Sequence, residues 1–304
     1  MHLGIDIGGT NFKYAISNLD NFEIEAISFP INPKNSKPEI LNYIDKIISE
    51  NDISKVGIGV PGIINQSGII KVLPNLPDWE NFDLRSYFAD KNIPVYYDND
   101  ANIAALAELY EGEGKDLENF LYITLGTGIG AGIIMNRQIL RGDTNSTGEI
   151  GHTIIDRNAD INSFNPKFRT GIVEEYAGRN QILELCKGIL QNYPESSLNQ
   201  IPNFDVKDIE IEAQKGDVAA AKVLEITGYN IALAITNALN LLDLHTVIIG
   251  GGISKSQTIL HHINENIKLR ALPHIAEDFK IKNAKFTSNT GVIGSLIAAK
   301  FLAK

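Results

Sequence analysis

The sequence has few of the residues that mark secreted or nucleic-acid-binding proteins. It contains one cysteine among 304 residues, and its 27 Lys and Arg are outnumbered by 37 Asp and Glu. Because a single thiol, Cys186, cannot form an internal disulfide, we expect an intracellular protein of the cytoplasm. The formal net charge of −10 argues against a nucleic-acid partner, since phosphate contacts require clustered cations.

Long apolar runs are missing as well. Asp6 interrupts the N-terminal segment early, and the longest apolar stretch, residues 231–249, contains two asparagines, an aspartate and a histidine. We therefore predict neither a signal peptide nor a membrane span. With 43% hydrophobic residues, the chain is nevertheless long enough to bury the cores of two ordinary domains.

A strand, a glycine-rich turn and a second strand occur twice along the chain. The first copy alternates from Leu3 to Ile16 around Gly8-Gly9, and the second copy spans residues 122–135. Alternating helix and strand patterns follow each copy, which predicts two α/β halves with mixed or parallel sheets. The charged, glycine-containing segment 111–118 is the predicted domain boundary.

The first turn, Asp6-Ile-Gly-Gly-Thr10, has the features of a phosphate-binding loop. Its glycines Gly8 and Gly9 let N–H groups converge on an anion, and Thr10 adds a hydroxyl donor. Asp6 is a candidate for holding Mg²⁺ through water, because Mg²⁺ prefers oxygen ligands and keeps part of its hydration shell. An ordinary hairpin turn is the alternative for this segment taken alone.

The second turn, Gly126-Thr127-Gly128-Ile129-Gly130, favours a nucleotide site, because two anion-binding turns then occupy matching positions in the two halves. The same residues formally fit a dinucleotide fingerprint, with Glu149 as the ribose partner. That fingerprint should open a helix, whereas residues 129–135 are apolar and β-like. A nucleotide triphosphate is therefore the favoured ligand.

Four polar residues crowd the segment Asp98-Asn99-Asp100-Ala-Asn102, between a predicted strand and an Ala-rich helix predicted over residues 100–110. Ligand sites of α/β sheets tend to lie at such strand-to-helix junctions. Asp100 is a candidate base that accepts a hydroxyl proton during phosphoryl transfer. An ordinary helix N-cap is the alternative, but the crowding exceeds what one cap requires.

Further polar residues are interpreted with their alternatives. Glu149 and His152, flanked by glycines, can hydrogen-bond sugar hydroxyls, although a surface charge and a structural histidine are the alternatives. Asn75 lies between prolines and is also typical of a turn. Trp79 is expected in a core or a cleft wall. Ser36, followed by Glu39 three residues on, predicts a capping box at a helix start.

Taken together, these motifs resemble the ROK family of bacterial sugar kinases and sugar-responsive repressors. The resemblance covers nearly the whole chain and implies a two-domain, actin-like (ribonuclease H-like) α/β fold with a nucleotide and sugar cleft between the domains. The implied domains are residues 1–117, joined by the C-terminal helix 291–304, and the larger 118–290. The motifs that carry the resemblance are Asp6–Thr10, Gly59–Gly62, Pro74–Pro77, Asn99–Asn102, Leu125–Gly130, Gly148–His152, Glu174 within 173–177, and Gly250–Ile253.

Residue roles follow from this resemblance position by position. Asp100 is the implied base, and the nucleotide lies on the Gly9-Thr10, Gly126-Thr127 and Gly250-Gly251 turns. Asn11 stands where family members often have Lys, and Lys13, two residues on, is a candidate for the missing charge or else a solvated strand residue. The implied sugar contacts are Gly62, Asn75, Asn99, Glu149, His152 and Glu174.

A second departure concerns zinc. Many family members carry a cysteine-rich zinc motif shortly after the histidine, whereas residues 164–172 of this chain contain no cysteine. We therefore expect no structural zinc, and packing or hydrogen bonds would hold His152 and Glu174 instead.

The implied activity is ATP-dependent phosphorylation of a hexose at the 6-hydroxyl, with glucose as the first expectation and Mg²⁺ as cofactor. N-acetylmannosamine and N-acetylglucosamine kinases are the main alternatives, and polyphosphate stays open as the donor. A sugar-sensing repressor is less expected, because the first strand begins at Leu3 without room for a preceding helix-turn-helix. An ATP-dependent assembly protein is also less expected, because such a protein would not need the sugar-binding residues Asn99, Asp100, Glu149 and His152. We also expect a homodimer.

Overall fold

The computed structural model describes residues 1–19, 24–159, 170–287 and 289–304. The elements alternate between strands and helices as the sequence predicts. Its strands are β1 (His2–Ile7), β2 (Asn11–Ser17), β3 (Ile27–Pro30), β4 (Lys55–Val60), β5 (Ile63–Ile64), β6 (Ile70–Val72), β7 (Val95–Asn99), β8 (Phe120–Leu125), β9 (Ile129–Met135), β10 (Gln138–Ile139), β11 (Thr246–Gly250) and β12 (Lys280–Asn283). Its helices are α1 (Ser36–Glu50), α2 (Leu84–Ala89), α3 (Asp100–Glu111), α4 (Glu174–Ala177), α5 (Arg179–Leu190), α6 (Val206–Gln214), α7 (Val218–Leu242), α8 (Gln257–Arg270), α9 (Pro273–Asp278) and α10 (Thr290–Leu302).

Two five-stranded mixed sheets form the framework. Their strand orders are β3-β2-β1-β4-β7 and β10-β9-β8-β11-β12. In the first sheet β1 pairs with β2 in antiparallel and with β4 in parallel orientation, and β4 pairs with β7 in parallel. In the second sheet β8 and β12 both run parallel to β11. The predicted repetition of a strand, a turn and a strand is confirmed by β1-β2 and β8-β9.

The chain divides into two compact units. Unit 1 comprises Met1–Glu118, Gly132–Thr147 and Lys285–Lys304, and unit 2 comprises Asn119–Ala131 and Gly148–Ala284. These units differ from the expected domains at residues 132–147, which belong with the N-terminal segment. The difference has a packing cause, since β10 contacts α3 and a Cβ at Gly132 would lie 2.7 Å from the Cβ of Ala105.

The core of unit 1 lies on both faces of its sheet. Helix α10 packs against β1, β4 and α3, and the Ser295 hydroxyl donates a 2.7 Å hydrogen bond to the Ile5 carbonyl. The opposite face carries a cluster that includes Ile40 and Ile44 of α1 and the fully buried Trp79. The expected burial of Trp79 is confirmed.

The start of α1 differs from the predicted capping box. Ser36 is the first helical residue rather than the N-cap, and the N-cap, Asn35, makes no capping hydrogen bond. The buried Ser36 hydroxyl instead donates to Asp78 and accepts a 2.9 Å bond from the Trp79 indole. Asp78 also accepts the Lys37 N–H at 2.7 Å, so a carboxylate distant in sequence satisfies this helix end.

In unit 2, α7 is the central helix and packs against α5, α6 and α8. It is long and apolar enough to cross a membrane by length and composition, and 56% of its most apolar 18-residue window is buried within the protein. A buried core helix of a globular domain has the same properties, so one such helix is weak evidence for a membrane span.

Candidate active site

The junction of β7 and α3 separates the four crowded polar residues by role. Asp98 is 1% exposed, and its two carboxylate oxygens accept bonds from Arg141, Tyr96, Asn102 and the Asn99 N–H. Asn99 is the N-cap of α3 and accepts the Asn102 N–H at 2.7 Å. Its amide oxygen is therefore occupied, and its NH₂ group is the part that remains for a ligand.

Asp100 is the first helical residue and the exposed carboxylate of this junction. Its Oδ1 accepts the Ala101 N–H at 2.8 Å. The N-cap alternative therefore falls on Asn99. A carboxylate at a helix N-terminus lies near the partial positive charge of the helix.

The first glycine turn closes the β1-β2 hairpin. The Gly8 N–H donates to the Asn11 carbonyl at 2.8 Å, so it is occupied, whereas the N–H groups of Gly9 and Thr10 donate to no carbonyl among the described residues. A Cβ at Gly9 would lie 3.1 Å from the Asn75 side chain. The structure thus brings a predicted nucleotide turn and a predicted sugar residue into contact within unit 1.

Asp6 and Lys13 are directly opposite each other on β1 and β2. Burial raises the pKa of Asp6 above its ordinary value, and the positive charge of Lys13 opposes that shift. A carboxylate oxygen suits Mg²⁺, but no group of three His, Cys, Asp or Glu side chains within the described part of the chain is placed to hold a metal. Asp6 therefore fits a cation held through water and a ligand's own oxygens.

Gly62 follows β4 and lies against the β5-β6 ribbon. A Cβ at this position would be 2.1 Å from the Val72 carbonyl oxygen, so backbone packing alone requires glycine here. Its predicted sugar contact stays a prediction.

The second glycine turn in unit 2 is braced by Glu174. The Glu174 carboxylate accepts the Ile129 N–H at 2.8 Å, and the Arg179 N–H donates to the Gly126 carbonyl at 3.0 Å. A Cβ at Gly128 would collide with the same carboxylate. One oxygen of this predicted sugar residue is thus occupied by the turn that carries Thr127.

Gly250 and Gly251 lie beside this turn. Gly250 pairs with Thr124 across the parallel strands β11 and β8, and a Cβ at Gly251, where φ is +86°, would be 2.3 Å from the Leu125 carbonyl. The predicted nucleotide residues of unit 2 are therefore gathered at the carboxyl ends of two neighbouring parallel strands, a common place for ligand sites.

Glu149 is the N-cap of a short 3₁₀ helix, Ile150–His152, and His152 is its last residue. Their side chains approach to 4.0 Å and are 38% and 46% exposed. Burial raises the pKa of Glu149, the His152 charge opposes the shift, and the Glu174 charge adds to it. The cysteine-free stretch 164–172, on which the expectation of no zinc depends, lies largely outside the described residues.

Sequence reasoning missed Arg141. It lies in the segment after β10 and contacts the junction through Nη2, which donates to Asp98 at 2.6 Å and to the Tyr96 hydroxyl at 2.8 Å. No motif surrounds it, so only the fold reveals its role in holding Asp98.

Comparison with known proteins assigns this arrangement to a family. The ROK family model matches residues 2–301. A glucokinase from Halalkalibacterium halodurans is 32% identical over 311 residues, covering 96% of this chain and 93% of that enzyme. A xylose repressor from Caldicellulosiruptor bescii is 29% identical, covering 97% of this chain and 76% of the repressor.

The fold is shared with a solved structure. A proposed sugar kinase from Cytophaga hutchinsonii superposes with a TM-score of 0.87 at 27% identity, covering 97% of this chain and 98% of that chain. The predicted actin-like α/β fold is confirmed, and so is the resemblance drawn from the motifs. This chain belongs to the ROK family.

Proposed function

We propose that this protein is an ATP-dependent hexose kinase that phosphorylates the 6-hydroxyl, with glucose as the first substrate. The supporting observation is the contact of Gly9 with Asn75, because phosphoryl transfer requires the nucleotide phosphates and the sugar to meet. The similarity to a glucokinase of nearly the same length adds support.

In the proposed reaction, Asp100 accepts the proton of the 6-hydroxyl. The hydroxyl oxygen forms a bond to the γ-phosphorus, while the bond from that phosphorus to the bridging β-γ oxygen breaks and its electron pair leaves with ADP. The Gly9 and Thr10 N–H groups hold the phosphates, and the Asn75 and Asn99 amides orient the sugar. Asp6 would hold Mg²⁺ through water, and the ion would supply positive charge to neutralise the phosphates.

The Asp100→Asn variant tests the base. Removal of a general base costs about 10²- to 10⁴-fold in rate, so turnover should fall at least about 10²-fold in a coupled ADP-release assay, while glucose binding measured by calorimetry is retained. The matched control is Asp116→Asn, which changes another exposed aspartate of unit 1. Near-normal turnover of Asp100→Asn would remove this residue from the role.

The substrate is tested with the same assay over glucose, mannose, fructose, allose, N-acetylglucosamine and N-acetylmannosamine. The highest kcat/KM is expected for glucose. A higher value for an N-acetylhexosamine would transfer the assignment to the main alternative, and polyphosphate in place of ATP tests the donor.

The similarity to a xylose repressor favours a second candidate, a sugar-responsive regulator. Such a protein would bind a sugar without releasing ADP. If the parent protein binds a sugar in calorimetry but its turnover is no higher than that of Asp100→Asn, the regulator is favoured over the kinase.

A further inference from the structure

A cavity of about 920 Å³ lies in unit 1, along the first residues of β7. Its volume is in the range of small-molecule sites. None of the predicted sugar or nucleotide residues lines it. At about 3.3 Å per residue, Val95 lies roughly 16 Å from Asp100 along the chain, and the lining approaches the junction through Arg141, which bonds to the buried Asp98. The lining residues are Gln66, Arg85, Ala89, Asn92, Ile93, Pro94, Val95, Tyr96, Tyr97, Arg141, Asn145, Leu302 and Lys304.

The charge of the lining is the reverse of that of the whole protein. Arg85 and Lys304 contribute two cations, the third lining cation, Arg141, is paired with the buried Asp98, and among the described residues no aspartate or glutamate side chain is part of the lining. The chain carries a net charge of −10. A concentration of positive charge in a concave site of an acidic protein favours a small anion over a cation or a neutral molecule.

Arg85 is held in place by hydrogen bonds to neutral oxygens. Hydrogen bonds from Ser86 are the main cause of the lowered pKa of Asp83, and the charge of Arg85 contributes to it. Its Nε and Nη2 donate to the Tyr97 hydroxyl at 3.0 and 2.7 Å, and Nη2 also donates to the Gln66 carbonyl at 2.7 Å. No ion pair of Arg85 occurs among the described residues. A fixed guanidinium bonded only to neutral oxygens retains its full charge, and its planar donors suit a phosphate group.

The rest of the lining suits a polyhydroxyl body. Apolar surface in the lining comes from Ile93, Val95, Tyr96 and Tyr97. The amides of Gln66 and Asn92 add hydrogen-bond donors and acceptors. No cysteine or histidine lines this cavity among the described residues, so a metal ion is not favoured. We propose that the cavity is a binding site for a sugar-sized organic phosphate, separate from the proposed substrate site.

Isothermal titration calorimetry of the full chain with glucose 6-phosphate tests this site. The Arg85→Gln variant should raise the dissociation constant at least tenfold. The matched control is Arg270→Gln, since Arg270 also lies over a tyrosine ring, that of Tyr229, but in unit 2. The control should leave the constant within twofold of the parent value, and saturating glucose should do the same.

A second variant distinguishes the loss of the Arg85 charge from a structural defect caused by Arg85→Gln. Gln66 is exposed, and Gln66→Glu adds a carboxylate to the lining while Arg85 stays in place, so it should also weaken glucose 6-phosphate binding. Binding that is prevented by saturating glucose but retained in both cavity variants would place the ligand in the substrate site and overturn the proposal. Absence of binding to the parent protein would overturn it as well.

Two further probes identify the ligand class. Inorganic phosphate should bind at least tenfold more weakly than glucose 6-phosphate, because it lacks the polyhydroxyl body. AMP should also bind more weakly. Arg85-dependent binding of AMP that is tighter than that of glucose 6-phosphate would overturn the assignment to a sugar phosphate. These measurements require no kinase turnover, so the failure of this proposal and the failure of the proposed function are distinguishable.

Discussion

At the scale of single residues, the folded structure disfavours the ionised form of the Glu149 carboxyl. Burial is the largest cause of its raised pKa, and Glu174 adds to it. A raised pKa in the folded state means that folding favours the protonated form, so stability falls as the pH rises through the folded pKa. This cost is expected at a residue kept for a ligand rather than for stability.

Glu149→Gln should therefore raise the free energy of unfolding at pH 8. The gain should be no more than about 1 kcal/mol, because water screens a partly exposed group, and it should vanish near pH 4, where the unfolded carboxyl is itself protonated. Denaturant titrations at both pH values measure it, with the exposed Glu277→Gln as control for the charge change. A variant less stable than the parent at pH 8 would contradict this assignment.

The crowded polar segment shows what single residues allow a sequence to predict. The alternation of a strand and a helix predicts a ligand-type junction at this segment, and the crowding predicts a functional role. In the structure, however, Asp98, Asn99 and Asn102 each make a hydrogen bond within the junction. Asp100 is the exposed member of the group, and its Oδ1 accepts the Ala101 N–H. Sequence could not separate these roles, because the partner of Asp98 is 43 residues away at Arg141.

At the scale of elements, the segment after β10 fixes the junction of β7 and α3 through one ion pair. Arg141 is 32% exposed and Asp98 only 1%. Removing one partner of a buried pair is costly, because the other charge remains buried without compensation. Arg141→Met should therefore lower the free energy of unfolding by about 3 kcal/mol.

The control for this prediction is the exposed pair of Arg179 and Asp205, which are 44% and 35% exposed. Arg179→Met should cost no more than about 1 kcal/mol. Combining Arg141→Met with Asp98→Asn should recover at least half of the loss, because the unpaired charge is then removed as well. Urea unfolding of the parent, Arg141→Met, Asp98→Asn and the double variant measures the cycle, and equal costs for Arg141→Met and Arg179→Met would contradict it.

Elements were more predictable than their caps. Periodicity and turn residues placed α3, β11 and the glycine turns, since those signals are local. The capping box at Ser36 is wrong, because Asp78, 41 residues from Lys37, satisfies the helix end. The residues from α4 to α5 do not form one continuous helix, because the backbone is extended at Gly178 between them.

At the scale of the whole molecule, unit 1 is assembled from three separate stretches of the chain. The family resemblance predicted that the last helix joins the first domain, and α10 packs there against β1 and β4. The addition of residues 132–147 was not predicted, since it arises from the packing of β10 on α3 rather than from any local pattern. The predicted ligand residues are thus divided between the two units. The bounds of these units are defined by tertiary contacts rather than by a local sequence pattern.

The seam between the first and last stretches gives the final prediction. Gly57 lies in β4, and a Cβ there would be 1.9 Å from the Ser295 carbonyl oxygen of α10. Gly57→Ala must displace this helix from the sheet, and overpacking of this kind should cost about 3 kcal/mol. Gly188→Ala is the matched control, because no atom lies within 4 Å of that Cβ in α5, and alanine should stabilise the helix by up to about 1 kcal/mol. Urea unfolding measures both, and a Gly57→Ala protein as stable as the parent would mean that α10 is not seated on β4.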